Sequence, residues 1–179
     1  MSIVINLFGA PCSGKSCGAA YIFSLLKIAG INCELVTEFA KNLVWEENQI
    51  GLNCQEYIFG NQSYRLSRLN ERAAVIITDS PLPLSCFYNK NPFLDEDFDK
   101  VVMKVFNSYD NLNYLVMRSG DYSEIGRIHT KEEADKISDD LQDFLDSHNI
   151  PYHHGIGEIV FYNSIVEDVL NELQKRGRE

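Results

Sequence analysis

The stretch Gly9–Ser16, GAPCSGKS, constrains the fold of this chain more than any other feature of its sequence. It has the spacing G-x-x-x-x-G-K-S, and it lies between the apolar run Ile3–Phe8 and a helix-like segment. Glycines at these positions let the backbone turn back and bring its N–H groups close to an anion. The positive end of the following helix points at the same place. Because this context accompanies the spacing, the stretch predicts a loop that holds the phosphates of a nucleoside triphosphate, rather than a chance match.

The residue types inside this phosphate loop suggest separate roles. Lys15 is placed to reach the β- and γ-phosphates, and the Ser16 hydroxyl is placed to ligate Mg²⁺. We therefore predict ATP and Mg²⁺ as the cofactors. The predicted nucleotide contacts are Gly9, Ala10, Pro11, Cys12, Ser13, Gly14, Lys15, Ser16, Cys17 and, further along the chain, Arg118.

Short apolar runs alternate with helical patterns along the whole chain. The predicted strands are 3–8, 33–37, 74–79, 111–118 and 150–155, and the predicted helices are 14–30, 38–48, 54–73, 95–109, 130–149 and 162–176. The run AVIITD is typical of a strand that is buried on both faces. The pattern predicts an α/β fold, a P-loop NTPase three-layer sandwich in which helices cover both faces of a five-stranded parallel sheet.

Composition and charge exclude several classes of protein. The formal charge of −10 disfavours broad, non-specific binding to DNA, which needs clustered Lys and Arg. The five cysteines contain no Cys-x-x-Cys pair, and the four histidines have no metal-ligand spacing with them, so neither a zinc site nor a disulfide framework is indicated. With no apolar stretch long enough to span a membrane and no signal-like segment, we expect a soluble cytoplasmic protein.

Two acidic residues follow predicted strands directly. Asp79 ends the third strand, a position suited to holding Mg²⁺, although a residue before Ser80-Pro81 could also simply form a turn. Glu38 follows the second strand, where it could accept a proton from an attacking hydroxyl or could stabilise a helix N-terminus. Because the carboxyl ends of parallel strands open on one crevice, we expect both acids to face the phosphate loop.

The helical segment before the third strand carries a glutamine, Gln62, on a face that it shares with apolar residues. Phe59, Gln62 and Leu66 fall on adjacent turns of that face. An amide such as that of Gln62 can pair with the edge of a base, because it offers a donor and an acceptor side. The pattern alone favours the alternative, a helix core stripe with a solvated polar side.

These segments together resemble the P-loop nucleoside kinases. The matching stretches are NQSYRLSRL, VIITDSPL with Tyr88 further on, and LVTEFAK. They are similar to the ribosylnicotinamide kinase domain of NadR, to the deoxynucleoside kinases, and to many phage proteins described as small ATPases or nucleotide kinases. The resemblance implies that Glu38 is the base toward a sugar hydroxyl and that Gln62 pairs with the nucleobase. Asp79-Ser80-Pro81 stands where the deoxynucleoside kinases have Glu-Arg-Ser, which is closer to the NadR-like pattern.

The polar stretch that follows the fourth strand has the place of the lid of such kinases. Residues 118–131 contain Arg118 and Arg127, with Gly120 and Gly126 around them. Guanidinium groups stabilise the charge that develops on a transferred phosphoryl group, so we predict an arginine-bearing lid with Arg127 as a catalytic residue. The alternative is a surface loop whose arginines pair with Asp121 or Glu124.

The sequence thus predicts one P-loop kinase domain over residues 1–179. It would transfer the γ-phosphate of ATP to a hydroxyl of a nucleoside or nucleotide bound by Glu38, Gln62, Asp79 and Tyr88, with Ser16 and Asp79 as the metal ligands. One alternative is a kinase of hydroxymethylated pyrimidine bases in phage DNA, gripped by Lys41, Arg65, Arg68 and Arg72. The other is a nucleotide-dependent switch or ATPase that has no acceptor. The oligomeric state stays open, a homodimer included.

Overall fold

The computed structural model describes residues 1–94, 96–119 and 131–177, without the side chains of residues 131–135. Within these ranges the strands are β1 (Ile3–Phe8), β2 (Cys33–Val36), β3 (Val75–Thr78), β4 (Asp110–Met117) and β5 (His153–Ile156). The helices of the same ranges are α1 (Lys15–Ile28), α2 (Ala40–Trp45), α3 (Gln49–Leu52), α4 (Gln55–Ser67), α5 (Leu84–Phe87), α6 (Glu96–Phe106), α7 (Lys131–Ser147) and α8 (Ile159–Lys175).

The described strands form one sheet in the order β2-β3-β1-β4-β5, and every neighbouring pair is parallel. The predicted five-stranded parallel sheet with flanking helices is therefore confirmed. β1 is the central strand, with Asn6 opposite Thr78 of β3 on one side and opposite Asn113 of β4 on the other. All six residues of β1 are buried, as expected for a strand that has helices on both faces.

Alternate residues of β1 face two separate cores. Ile3, Ile5 and Leu7 pack with residues of α1 and α8 on one face of the sheet. Val4 and Phe8 pack on the other face with residues of α4, α6 and α7. Since successive side chains of a strand point to opposite faces, the short run 3–8 packs against the helices on both faces of the sheet.

The second face also contains a polar side chain of β1. Asn6 is 1% exposed, and its Nδ2 donates hydrogen bonds to Asn111 Oδ1 at 2.8 Å and to Asn113 Oδ1 at 3.0 Å. Asn113 in turn donates to the carbonyl of Pro151 at 3.0 Å. A buried amide is tolerated here because its neighbours across the sheet supply hydrogen-bond partners.

Several boundaries differ from the sequence prediction; for example, α4 ends at Ser67 rather than at residue 73, and α8 begins at Ile159 rather than at residue 162. Two of the differences have a local cause in the backbone. The predicted helix 38–48 ends early, because Glu47 takes a left-handed φ of 53°. The Asn48 side chain then accepts a hydrogen bond from Gly51 N at 2.9 Å and caps the start of a separate helix, α3. The fifth strand begins at His153 rather than at residue 150. Asn149 is left-handed, and Ile150 N donates to the carbonyl of Leu145 at 3.0 Å, so Ile150 completes the end of α7 instead.

None of the helices in the described part of the chain is long and apolar enough to cross a membrane.

We expect the Ile5→Ala substitution to destabilise the protein by about 2–5 kcal/mol, because it leaves a cavity at a fully buried central position. Urea unfolding monitored by circular dichroism measures this as a lower midpoint. Val160→Ala is the matched control, since Val160 is 79% exposed and its truncation should change the free energy of unfolding by less than about 0.5 kcal/mol. Equal effects of the two substitutions would contradict the assignment of Ile5 to the core between the sheet and the helices α1 and α8.

Candidate active site

The phosphate loop joins the carboxyl end of β1 to the start of α1. Three of its residues have a positive φ, namely Gly9 at 151°, Cys12 at 64° and Gly14 at 96°. Gly14 is in the left-handed region directly before the helix, a conformation that glycine adopts without a steric penalty. The backbone therefore turns sharply into α1 at the place where the motif predicts the turn.

The first turn of α1 carries no competing negative charge. No side chain caps Gly14 and no acidic residue occupies the first turn of this helix. The first N–H groups of a helix lack partners inside the helix, and the helix dipole makes this end attractive to an anion. This donor set fits the phosphates of a nucleotide.

Two side chains of the loop add further donors. Lys15 Nζ donates to the carbonyls of Gly9 at 2.7 Å and Ala10 at 2.9 Å, so the ammonium group lies across the loop. The Ser13 hydroxyl is buried, and no hydrogen-bond partner for its oxygen is found in the described part of the chain. A buried hydroxyl without a partner is costly in a protein that binds nothing at this place.

The two acids predicted at the strand ends come together. The backbone N–H of Glu38 donates to Asp79 Oδ1 at 2.9 Å, which joins the tips of β2 and β3. Asp79 is 5% exposed and follows Thr78, which pairs with Asn6 of β1. The acids are therefore at the same edge of the sheet as the phosphate loop.

Tyr88, at the end of α5, lies within electrostatic reach of Glu38. Burial, and after it the negative charge of Glu38, raises the pKa of Tyr88 to about 12. The phenol is consequently a protonated hydrogen-bond donor at neutral pH. The structure thus brings Glu38, Asp79 and Tyr88 into one neighbourhood.

Gln62 does not offer its amide to this neighbourhood. It is 2% exposed, its Oε1 accepts from the backbone N–H of Phe39 at 3.1 Å, and its Nε2 donates to Thr78 Oγ1 at 3.2 Å. These bonds join α4 to the ends of β2 and β3. They conflict with the predicted pairing of Gln62 with a nucleobase, because a base would have to replace them inside a packed core.

The aromatic rings of Phe39 and Tyr57 are in contact with each other, and Phe39 directly follows Glu38 in the chain. The sequence analysis did not identify this pair. The two rings meet edge to face, with their centroids 5.3 Å apart. The guanidinium of Arg65 lies 5.0 Å from the centre of the Phe39 ring and donates to the carbonyl of Thr37 at 3.3 Å. The sequence signal that could have indicated this aromatic pair was the position of Phe39 directly after Glu38.

The four cations considered for a DNA-binding cleft are not all at this edge. Arg65 contacts Thr37, just after the carboxyl end of β2. Arg72, in contrast, precedes β3, and its carbonyl accepts from Asn32 just before β2, so it lies at the opposite edge of the sheet. Arg65 and the backbone of Arg72 are therefore separated by the length of β3, and the cleft of Lys41, Arg65, Arg68 and Arg72 stays a prediction.

Only part of the predicted lid lies within the described residues. Arg118 follows Met117 at the carboxyl end of β4 and is half-buried. Arg127, Gly120 and Gly126 lie outside the described residues. The role predicted for Arg127 therefore stays a prediction.

Comparison with known proteins agrees with this architecture. The family model of an AAA domain matches residues 4–158. The fold is similar to that of thymidylate kinase from Ehrlichia chaffeensis, with a TM-score of 0.64 and 16% sequence identity, over 94% of this chain and 98% of that one. No curated protein matches the chain.

The predicted resemblance to P-loop nucleotide kinases is thus confirmed at the level of the fold, whereas the likeness to the NadR-like subfamily stays a prediction. The matched segment includes the phosphate loop and both strand-tip acids, and it spans most of the 179 residues. The chain belongs to the AAA domain family, with the fold of the P-loop nucleotide kinases.

Proposed function

We propose that this protein is a phosphotransferase that moves the γ-phosphate of Mg-ATP to a hydroxyl of a nucleoside or nucleotide. The observation that supports the proposal is the hydrogen bond from the backbone N–H of Glu38 to Asp79 Oδ1, which joins the tips of β2 and β3 at the carboxyl ends of the strands, where the phosphate loop also follows β1. A loop that only binds a nucleotide has no need of a second acid at the neighbouring strand tip. A kinase needs one acid near the metal and one near the acceptor hydroxyl.

The residues of the loop would hold the donor nucleotide. Backbone N–H groups at the start of α1 bind the phosphates, and Lys15 exchanges the carbonyls of Gly9 and Ala10 for phosphate oxygens. Ser16 and Asp79 would hold Mg²⁺, which supplies charge neutralisation between the β- and γ-phosphates. Arg118 and Arg127 would approach the same phosphates from the segment after β4.

Glu38 would act on the acceptor. Its carboxylate takes the proton of the attacking hydroxyl as the new oxygen–phosphorus bond forms. The bond between that phosphorus and the bridging oxygen of ADP breaks, and its electron pair leaves with ADP. Tyr88, which stays protonated, can donate a hydrogen bond to the acceptor beside Glu38.

The aromatic pair of Phe39 and Tyr57 supports an acceptor that contains a nucleobase. Phe39 is only 8% exposed and packs with Leu43 and Ile58, so it is the ring of Tyr57, 47% exposed, that presents aromatic surface. Aromatic faces stack on nucleobases without requiring the Gln62 amide. Thymidylate, the substrate in the name of the similar kinase, is therefore one acceptor to test.

A screen with ATP labelled at its γ-phosphate tests the proposal directly. Nucleosides, nucleotides including thymidylate, and duplex DNA with hydroxymethylated pyrimidines are offered in parallel. We expect label on a free nucleoside or nucleotide. ADP release at one rate with and without every acceptor would contradict the proposal in favour of an ATPase or switch, and label on DNA alone would favour the DNA-base kinase.

We expect Lys15→Ala to lower phosphoryl transfer by about a hundredfold to a thousandfold, because it removes a cation placed at the transferred group. Steady-state kinetics with saturating acceptor measure the loss. Lys27→Ala is the control, since Lys27 lies in the last turn of α1, where it forms a half-exposed pair with Glu34 of β2 and lies over the Phe23 ring. Full transfer by Lys15→Ala to every accepted substrate would refute the proposed donor site.

We expect Glu38→Gln to lower kcat by about a hundredfold to ten-thousandfold, because the amide cannot take the acceptor proton. The KM for Mg-ATP should stay unchanged, and the backbone bond from residue 38 to Asp79 is retained. Glu34→Gln, in the same strand region but paired with Lys27, is the matched control. An unchanged kcat in Glu38→Gln would exclude this residue as the base.

A further inference from the structure

We propose that Tyr162 of α8 is a positioning residue that holds the phosphate loop in its nucleotide-binding shape. The inference rests on the proposed function, since it assigns a role in binding the donor phosphates. Its hydroxyl donates a hydrogen bond to the carbonyl of Gly14 at 3.1 Å, across 148 positions of sequence. Nothing in the motif itself points to a residue so far along the chain.

The Gly14 carbonyl controls the direction of a phosphate-facing N–H. It accepts from Tyr162 Oη and also from Gly18 N, the latter at 2.8 Å, so two donors hold the oxygen. In a trans peptide the carbonyl and the following N–H point in opposite directions. Fixing the oxygen of Gly14 therefore fixes the direction of the Lys15 N–H at the open end of α1.

Three glycines clear the space for this one side chain. A methyl group at Gly14 would lie 2.5 Å from Tyr162 Oη, and one at Gly157 would lie 3.0 Å from it. A methyl group at Gly18 would overlap the ring of Tyr162 itself. Glycine in a helix interior is destabilising relative to alanine, so contact with this ring gives Gly18 of α1 a physical reason.

The ring is itself held in place. Tyr162 is 5% exposed and packs in the core formed by α1, α8 and one face of the sheet. The Tyr21 ring of α1 lies 6.2 Å away, centroid to centroid. Burial raises the pKa of the Tyr162 hydroxyl, with a smaller contribution from Cys17, so the group stays a hydrogen-bond donor at neutral pH.

A second contact supports the same side of the loop. Gly157 lies between β5 and α8, and its N–H donates to the Met117 carbonyl at the end of β4 at 2.7 Å. A methyl group at Gly157 would overlap the carbonyl oxygen of Ser13, so the loop rests directly on this backbone. The β5–α8 turn and Tyr162 therefore both contact the backbone of the loop, at Ser13 and Gly14.

The first test removes only the hydroxyl. In Tyr162→Phe the ring remains and the bond to Gly14 is lost, so we expect binding of Mg-ATP and of inorganic tripolyphosphate to weaken by the same factor, about three- to tenfold. Isothermal titration calorimetry measures both. The KM for the acceptor should not change, because the lost hydrogen bond is one to the phosphate loop.

The second test displaces the ring. Gly18→Ala should weaken tripolyphosphate binding at least as much as Tyr162→Phe, because the added methyl group pushes the ring off the loop. Gly60→Ala is the matched control, the same change in the middle of α4, where no atom lies within 4 Å of the added methyl group. The control should raise the thermal midpoint and leave binding at the wild-type value.

The outcomes separate the two proposals. Wild-type protein that binds neither Mg-ATP nor tripolyphosphate refutes the proposed function. Wild-type binding with an unchanged affinity in Tyr162→Phe overturns the positioning role alone. A parallel loss of phosphate affinity and acceptor affinity, with a lower thermal midpoint, would likewise overturn it, because Tyr162 would then serve stability only.

Discussion

The parallel pairing of β1 between β3 and β4 is the constraint on which the site depends. Asn6 pairs with Thr78 on one side and with Asn113 on the other, so the three strands end at one edge. The phosphate loop leaves β1 there, Asp79 leaves β3, and Arg118 follows β4. Because β1 is buried on both faces, this edge is a rigid platform for groups that must meet a phosphate.

The loop nevertheless takes its shape from more than its own motif. Gly14 supplies the left-handed turn, but its carbonyl is oriented by a hydroxyl on the last described helix. Gly18 lowers the intrinsic stability of α1 and in return allows that contact. A position of low helix propensity in α1 thus gives the Tyr162 ring of α8 the space to reach the loop.

Some elements were predictable because their signals are local. The apolar run 3–8 and the glycine spacing of the loop agree with β1, the turn and α1 to within about two residues. The hydrogen bonds of Gln62 were not predictable, because helical spacing does not reveal that its amide reaches Phe39 N and Thr78, and its base-pairing role stays a prediction. The start of β5 failed because Ile150 is used to end α7, which depends on Asn149 taking a left-handed φ.

The sequence by itself determined the phosphate loop, the alternation of strands and helices, and the acids at two strand ends, because each depends on neighbours a few positions away. Only the tertiary structure decided that Glu38 and Asp79 are hydrogen-bonded, that Arg72 lies at the opposite edge, and that Tyr162 contacts Gly14. These contacts join residues 40 to 148 positions apart in the chain. Their partners are chosen by strand order and helix packing, which no local spacing encodes.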